Sequence, residues 1–175
     1  ADALRYTALG ERFRQAVADR DLDYLVPRLE DVRRMARVDL LWLSDSDGMT
    51  IYYARGTDGN SPTGPGPAIS ARAGRFMPDE PLTRQALHSG AAVTGTVRVP
   101  IFDLAQVDAD MADRAAITIV PTPRAAPSGE RRLDAGLMLC AAAPVLDGSS
   151  PVGVLWAGTL LNRNHDLVDQ VQNTV

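Results

Sequence analysis

Residues 139–162, LCAAAPVLDGSSPVGVLWAGTLLN, constrain the fold most, because two apolar runs flank a short polar turn. Apolar runs joined by Asp, Gly and Ser are typical of a β-hairpin. Nearly all of their side chains are modest in size: three consecutive alanines and Gly158 accompany one large residue, Trp156. The sequence therefore predicts two antiparallel strands whose centre holds one large ring among very small neighbours.

A register with Val145 opposite Val152 places Ala141 opposite Trp156. Side chains alternate between the two faces of a strand. One face would then carry Ala141, Ala143, Trp156 and Gly158. The other face, beneath a helix, would carry Met138, Cys140, Leu155 and Ala157. A shift of one residue would invert this assignment.

Patterns in the first half of the chain predict helix followed by strand. Residues 1–36 have helical spacing, with a kink or two abutting helices at Pro27. A hairpin follows at 38–54 around an Asp/Gly turn. Residues 55–82 are dense in Gly, Pro and Ser, so we expect a long loop there.

Shorter elements follow this loop. We expect a helix at 82–90, a strand at 91–99, a helix at 101–114, a strand and loop at 117–132, and then the hairpin. Asn164 is expected to cap a terminal helix. Strands joined by short hairpins favour an antiparallel sheet and hence an α+β fold. We therefore predict a single domain with an N-terminal helix at 1–36, a sheet core at 37–162 and a C-terminal helix at 163–175.

The composition excludes several classes of function. The chain has 175 residues, a net charge of −4 and no lysine. An acidic chain lacks the basic surface that nucleic acids require. Without lysine there is neither a Schiff base nor a Walker phosphate loop. No apolar stretch reaches the roughly 20 residues that span a bilayer. Both ends fall inside helical patterns, so we expect flanking segments.

No catalytic or metal-binding motif is complete. DADMAD (108–113) has the Asp spacing of a calcium loop, but it lacks the glycine at the sixth position and has Ile119 in place of the final Glu. HDLVD (165–169) suggests a metal pair, yet the only other histidine is His88. No nucleophile elbow is present, and the single cysteine, Cys140, is expected to be buried. We predict no enzyme activity, no metal and no cofactor.

The small side chains around Trp156 predict a hollow, and hence a small-molecule pocket covered by the loop. The alternative is that the alanines let a helix approach closely. Arginine suits a carboxylate, so an organic acid is the expected ligand. The candidate ligand-binding residues are Tyr53, Arg72, Arg75, His88, Thr96, Arg98, Ala141 and Trp156.

Four segments resemble Cache domains, the extracytoplasmic sensor units of bacterial histidine kinases and methyl-accepting chemotaxis receptors. They are the hairpin ending in SDSDG, PLTRQALHSGAAVTGTVRV, ITIVPTPRAAP and, most specifically, residues 141–175. The resemblance implies a long N-terminal helix on a PAS-like five-stranded antiparallel sheet, with short helices and a long loop over the other face. In such receptors a second Cache-like unit can follow.

The resemblance also implies a function. Cache domains are periplasmic, are tethered to the inner membrane by flanking segments, and bind small metabolites to pass a conformational signal across the membrane. The family's Arg-x-Trp-Tyr cluster is approached only by Arg75-Phe76-Met77, and Gly158 stands where an Asp binds amino groups. A simple carboxylate is therefore expected.

Two other hypotheses remain open. The chain is alternatively a ligand-free structural module of the same kind of receptor, which forms a homodimer through its N-terminal helix and has the Trp156 face filled. A metal-dependent hydrolase is disfavoured by the missing ligand cluster.

Overall fold

The computed structural model describes residues 8, 10–55, 81–120, 123, 129 and 131–164. These residues form five helices and seven strands, which confirms the predicted α+β class. The helices are α1 (Glu11–Asp19), α2 (Leu22–Ala36), α3 (Pro81–Ser89), α4 (Ile101–Val107) and α5 (Ala109–Ala115). The strands are β1 (Leu40–Asp45), β2 (Thr50–Arg55), β3 (Val93–Pro100), β4 (Ile117–Thr118), β5 (Arg132–Leu133), β6 (Ala135–Asp147) and β7 (Ser150–Leu160).

Five strands form one antiparallel sheet in the order β2-β1-β7-β6-β3, and β4 pairs with β5 in a separate two-stranded sheet. Strand β1 has β2 on one side and β7 on the other, so Leu43 lies opposite both Tyr52 and Leu155. The five-stranded antiparallel sheet confirms that part of the predicted architecture and is compatible with a PAS-like fold. The predicted strand near residue 117 is only two residues long.

The chain divides into two compact units. One contains Ala1–Gly95 and Cys140–Thr159, and the other contains Thr96–Leu139 and Leu160–Val175. Most of the predicted 55–82 loop and the predicted terminal helix after Asn164 lie outside the described residues.

In the first unit, α1 and α2 are separated at Arg20 and Asp21. Arg20 has a left-handed backbone (φ 54°), and its N–H bonds to carbonyls in the last turn of α1, which ends that helix. Asp21 then caps α2 by accepting a hydrogen bond from the Tyr24 N–H. Pro27, where we predicted the interruption, lies inside α2. The predicted junction at Pro27 is wrong: two helices replace the predicted single N-terminal helix, and they meet six residues earlier in the chain, because the Asp21 cap starts a new helix there.

Both helices bury their apolar stripes against one face of the sheet, in a cluster that we call the helix-side core. Its helical members are Phe13, Ala16, Val17, Leu25, Leu29 and Val32. Its strand members are Leu41, Leu43, Ile51, Tyr52, Ala54, Ala143, Val145, Leu155 and Ala157. Burying one large apolar side chain stabilises a fold by about 1.5–3 kcal/mol, so this core holds the helices on the sheet.

Asp45 organises the turn between β1 and β2. Its Oδ1 accepts hydrogen bonds from the N–H groups of Asp47 at 3.1 Å and Met49 at 2.8 Å. Gly48 adopts a positive φ of 78° in this turn. Arg20 Nη2 donates to Asp45 Oδ2 at 2.6 Å, so the same carboxylate joins the turn to the α1–α2 junction.

In the second unit, α4 and α5 meet at Asp108. Its Oδ1 accepts hydrogen bonds from the N–H groups of Asp110 at 2.8 Å and Met111 at 3.2 Å. The predicted single helix at 101–114 is therefore two helices, because the first Asp of DADMAD acts as an N-cap.

Asn162 ties together three segments of this second unit. It is 8% exposed; its Oδ1 accepts from the Leu137 N–H at 2.7 Å and its Nδ2 donates to the Ala115 carbonyl at 2.9 Å. Arg163 adds a bond from Nη2 to the Ala116 carbonyl at 3.0 Å. The segment after β7 is thereby fixed to β6 and to the end of α5.

Gly136 permits close packing within the same unit. A Cβ at this position would lie 2.8 Å from Leu104 Cδ1 and 2.9 Å from Leu160 Cδ1. Both distances are below van der Waals contact, so helix α4 and the end of β7 depend on the missing side chain.

Candidate ligand-binding site

Three aromatic side chains form a row across the sheet in the first unit. Trp42 lies directly opposite Trp156 on β7 and directly opposite Tyr53 on β2. Directly opposite residues in antiparallel strands share a face, with Cβ atoms about 4.5–5.5 Å apart. None of the three belongs to the helix-side core, whereas their chain neighbours Leu41 and Leu155 do. The row therefore lies on the face of the sheet away from α1 and α2, which we call the aromatic face.

Two members of this row are buried and the third is only half-buried. Trp42 and Trp156 are 4% and 3% exposed, and Tyr53 is half-buried. Val154 and Gly158, two residues before and after Trp156 on β7, share its face and are buried too. Sequence reasoning missed Trp42, although the first hairpin contains it; the pairing of β1 with β7 is what brings the chain's two tryptophans together.

Strand β6 has a different register from the one predicted. Ala143 and Val145 belong to the helix-side core together with Leu155 and Ala157, so these four residues share a face. The prediction that Ala143 shares a face with Trp156 is therefore wrong, although Val145 and Val152 both pack on the helix-side core. The Leu161 N–H also donates to the Leu137 carbonyl at 2.8 Å, a pairing shifted by one residue from the predicted one.

Ala142 lies between Ala141 and Ala143, which both pack on the helix-side core, so it lies on the aromatic face with Trp156. Ala141 is half-buried against the helix-side core, so it does not share a face with Trp156. Ala142 is fully buried and takes the place predicted for Ala141. A small residue still faces the indole, but a different alanine provides it.

The indole N–H of Trp156 is buried and has no hydrogen-bond partner among the described residues. An indole nitrogen is a donor only. Leaving a donor buried without an acceptor costs about 1–3 kcal/mol, and a native structure that contains such a donor calls for an explanation, such as a water or a ligand. Trp156 therefore combines the centre of an apolar face with an unused hydrogen-bond donor.

The other predicted site residues are distributed differently. His88 is exposed on α3 in the first unit. Thr96 and Arg98 belong to the second unit and are exposed on β3. Gly95, adjacent to Thr96 on the opposite face of β3, lies against Leu82 of α3, 3.1 Å from the position of a Cβ. Arg72 and Arg75 lie outside the described residues.

A polar network lies on the helix side of the same strand that carries Tyr53. Tyr52 is fully buried, and its hydroxyl donates to Glu30 Oε1 of α2 at 2.7 Å. Glu30 Oε2 accepts from Arg33 Nη2 at 3.1 Å. Burial, and then the Glu30 carboxylate, raise the pKa of the Tyr52 phenol far above its ordinary value. The side chains of Tyr52 and Tyr53, which are adjacent in β2, thus lie on opposite faces of the sheet.

A groove of about 420 Å³ lies on α1 and α2. It is lined by Arg12, Asp21, Asp23, Tyr24, Pro27, Arg28 and Asp31. The Arg12 guanidinium lies 4.7 Å from the centre of the Tyr24 ring. These charges of both signs are on an open surface, where ion pairs contribute little. The aromatic face is therefore the stronger candidate for a binding site.

The described residues contain no candidate metal site, since no group of three or more His, Cys, Asp or Glu side chains among them is placed to hold an ion. Within the same part of the chain, no helix is both long enough and apolar enough to cross a membrane. No protein-family model matches the sequence, and no curated protein is significantly similar to it.

Proposed function

We propose that this chain is a small-molecule-sensing domain of the Cache type, the extracytoplasmic part of a bacterial transmembrane receptor. It binds a small metabolite, an organic acid in the first instance, and performs no chemistry on it. The family likeness noted in the sequence and the antiparallel five-stranded sheet support this proposal. The output, kinase or chemoreceptor, lies in other parts of such a receptor.

One observation carries the proposal: the row of Tyr53, Trp42 and Trp156 on the sheet face opposite the helix-side core. Small-molecule sites are mainly apolar and aromatic, with a few polar groups that orient the ligand. Tyr53, at one end of the row, is half-buried, so solvent reaches this end of the aromatic face. Arg72 and Arg75, which follow β2 in the chain, are the proposed partners of its carboxylate.

Signalling would follow from a change in population between two conformations of the domain. A ligand shifts that equilibrium only by the difference between its affinities for the two states. Dissociation constants near 1 μM, about −8 kcal/mol, would suit a metabolite sensor.

A thermal-shift screen of organic acids and amino acids, followed by calorimetry of the hits, tests the proposal. A ligand at 100 times its Kd stabilises the folded state by about 2.7 kcal/mol. For a chain of this size that corresponds to a rise in Tm of about 5–10 °C. A screen in which no compound raises Tm or releases heat would refute ligand sensing.

Two tyrosines on opposite faces provide the matched variants. Tyr53→Ala should abolish most of the Tm shift, because the ligand loses a wall of its site. Tyr24→Ala, which removes a half-buried ring from the helix side, should leave the shift intact. Equal responses would place the ligand elsewhere. Sedimentation without ligand separates the remaining hypothesis, since a structural module would dimerise and bind nothing.

A further inference from the structure

We infer that the indole N–H of Trp156 is the donor that anchors the ligand, which must therefore be a small oxyanion or carbonyl compound with an apolar body. This inference rests on the proposed function and adds to it the chemistry of recognition. It assigns one acceptor oxygen of the ligand to a defined donor, Nε1 of Trp156.

The indole N–H of Trp156 is a buried donor without an acceptor in the described part of the chain. Trp156 is 3% exposed, and its Nε1 finds no acceptor among the described residues. Roughly 90% of buried polar groups in native proteins have a partner. A tryptophan that served only to fill the core could be replaced there by phenylalanine or leucine, which bring no unsatisfied donor.

The described side chains around the Trp156 ring supply no acceptor for its N–H. Its neighbours on the aromatic face are Trp42 across β1 and Val154 and Gly158 along β7, and Ala142, which follows Ala141 and precedes Ala143 of the helix-side core, lies on the same face. None of the aliphatic neighbours has a side-chain acceptor, and an indole donates but does not accept. No backbone carbonyl of the described residues accepts from Nε1 either. The acceptor must therefore come from outside this set.

Either a water or an organic ligand could accept the hydrogen bond from Nε1 of Trp156. A buried water needs two to four polar partners, and the apolar side chains around Trp156 supply few. An organic ligand brings its own apolar atoms, which gain from contact with the Trp42 ring, and offers its oxygen to Nε1. Charged acceptors make shorter and stronger hydrogen bonds than neutral ones, so a carboxylate gains more from Nε1 than an alcohol of the same size, although its remaining oxygen lone pairs need solvent or further donors.

The variants follow from this geometry. Trp156→Phe keeps a flat aromatic ring and removes the N–H, and Tyr24→Phe, which alters a ring on the helix side of the sheet, is the control outside the proposed site. The probes are acetate, propionate, pyruvate, lactate, succinate and benzoate, measured by calorimetry on the full chain. For the acids that bind, Trp156→Phe should weaken affinity about tenfold or more, and Tyr24→Phe should weaken it less than threefold.

Nuclear magnetic resonance tests the hydrogen bond itself. The chain has two tryptophans, so a ¹⁵N-labelled sample gives two indole N–H signals, and the Trp42→Phe variant identifies that of Trp156. Saturation with a binding acid should move the Trp156 indole proton downfield and slow its exchange with water. A role in packing alone would not produce that shift, and the readout stands even if Trp156→Phe fails to fold.

The outcomes separate the two proposals. If acids bind but the Trp156 indole proton does not move, or Trp156→Phe binds within threefold of wild type, the anchoring role is overturned while ligand sensing survives. If none of the compounds, nor any from the wider screen, binds wild type, both proposals fail.

Discussion

Replacing Tyr52 by phenylalanine tests how the N-terminal helices are held to the sheet. Tyr52 is fully buried, and its hydroxyl donates to Glu30 Oε1 at 2.7 Å. Hydrogen bonds to charged groups contribute about 1.5–3 kcal/mol. Glu30 keeps its ion pair with Arg33 at 3.1 Å in the variant, so its carboxylate is not left unpaired. We therefore expect the lower end of that range, a loss of about 1.5 kcal/mol at pH 7.

The same bond makes the difference depend on pH. Burial and the neighbouring Glu30 carboxylate raise the pKa of the Tyr52 phenol in the folded state, whereas in the unfolded chain a phenol ionises near pH 10, about its ordinary pKa. Stability from Tyr52 is thus fully present below about pH 10 and is lost as the pH rises further. The loss is about 1.4 kcal/mol per pH unit, so Tyr52→Phe should equal wild type near pH 11.

Urea unfolding at pH 7, 9, 10 and 11 measures this effect. With an m-value of about 2 kcal/mol/M, the midpoint for Tyr52→Phe should fall by about 0.7 M at pH 7. Tyr24→Phe, the control, keeps its ring beneath Arg12 and should change stability by less than about 0.5 kcal/mol. A difference between wild type and Tyr52→Phe that is absent at pH 7, or constant up to pH 11, would refute the reasoning.

Three further predictions concern side-chain packing and hydrogen bonds to the backbone. Gly136→Ala should lower the free energy of unfolding by about 1–3 kcal/mol, because the new Cβ overlaps two leucines. The control, Gly129→Ala, places its Cβ in open space and should not change stability. Equal urea midpoints for the two variants would contradict this prediction. Asn162→Ala should cost about 2–3 kcal/mol, since two backbone groups lose their partner, and should speed hydrogen exchange of the β6 amide it holds; unchanged exchange would count against the bond. Asp45→Ala should lower the free energy of unfolding by about 1–2 kcal/mol, because the turn loses its hydrogen bonds. Arg20→Ala, which removes only an exposed ion pair, should lower it by less than about 0.5 kcal/mol. Equal losses in Tm would show that the ion pair, and not the turn, supplies the stability.

The helices and the outer hairpin were predictable because their signals are local. Apolar residues at three- and four-residue spacing mark α2, and the Asp/Gly turn marks the β1–β2 hairpin. The sequence prediction placed a junction at Pro27, whereas the signal that separates α1 from α2 is the N-cap residue Asp21. A side chain that can bond to the N–H three residues later begins a helix, whereas a proline early in a helix removes only one backbone bond.

The register of β6 on β7 could not be predicted for a different reason. A register is readable when one face is apolar and the other polar. Here Leu155 and Trp156, consecutive in the chain, are both buried, so either pairing leaves apolar residues on both faces. The unused N–H of Trp156 was equally hidden, because it depends on which acceptors are missing around the ring rather than on any local pattern.

The facing tryptophans have an optical consequence. Trp42 and Trp156 are the only two in the chain and lie side by side on adjacent strands, so intrinsic fluorescence and near-ultraviolet dichroism arise mainly from one spot in the first unit. Far-ultraviolet dichroism, in contrast, sums over all helices and strands. Unfolding curves from the two signals will coincide only if both units melt together. The protein therefore carries a natural probe that tells whether its two halves behave as one cooperative body.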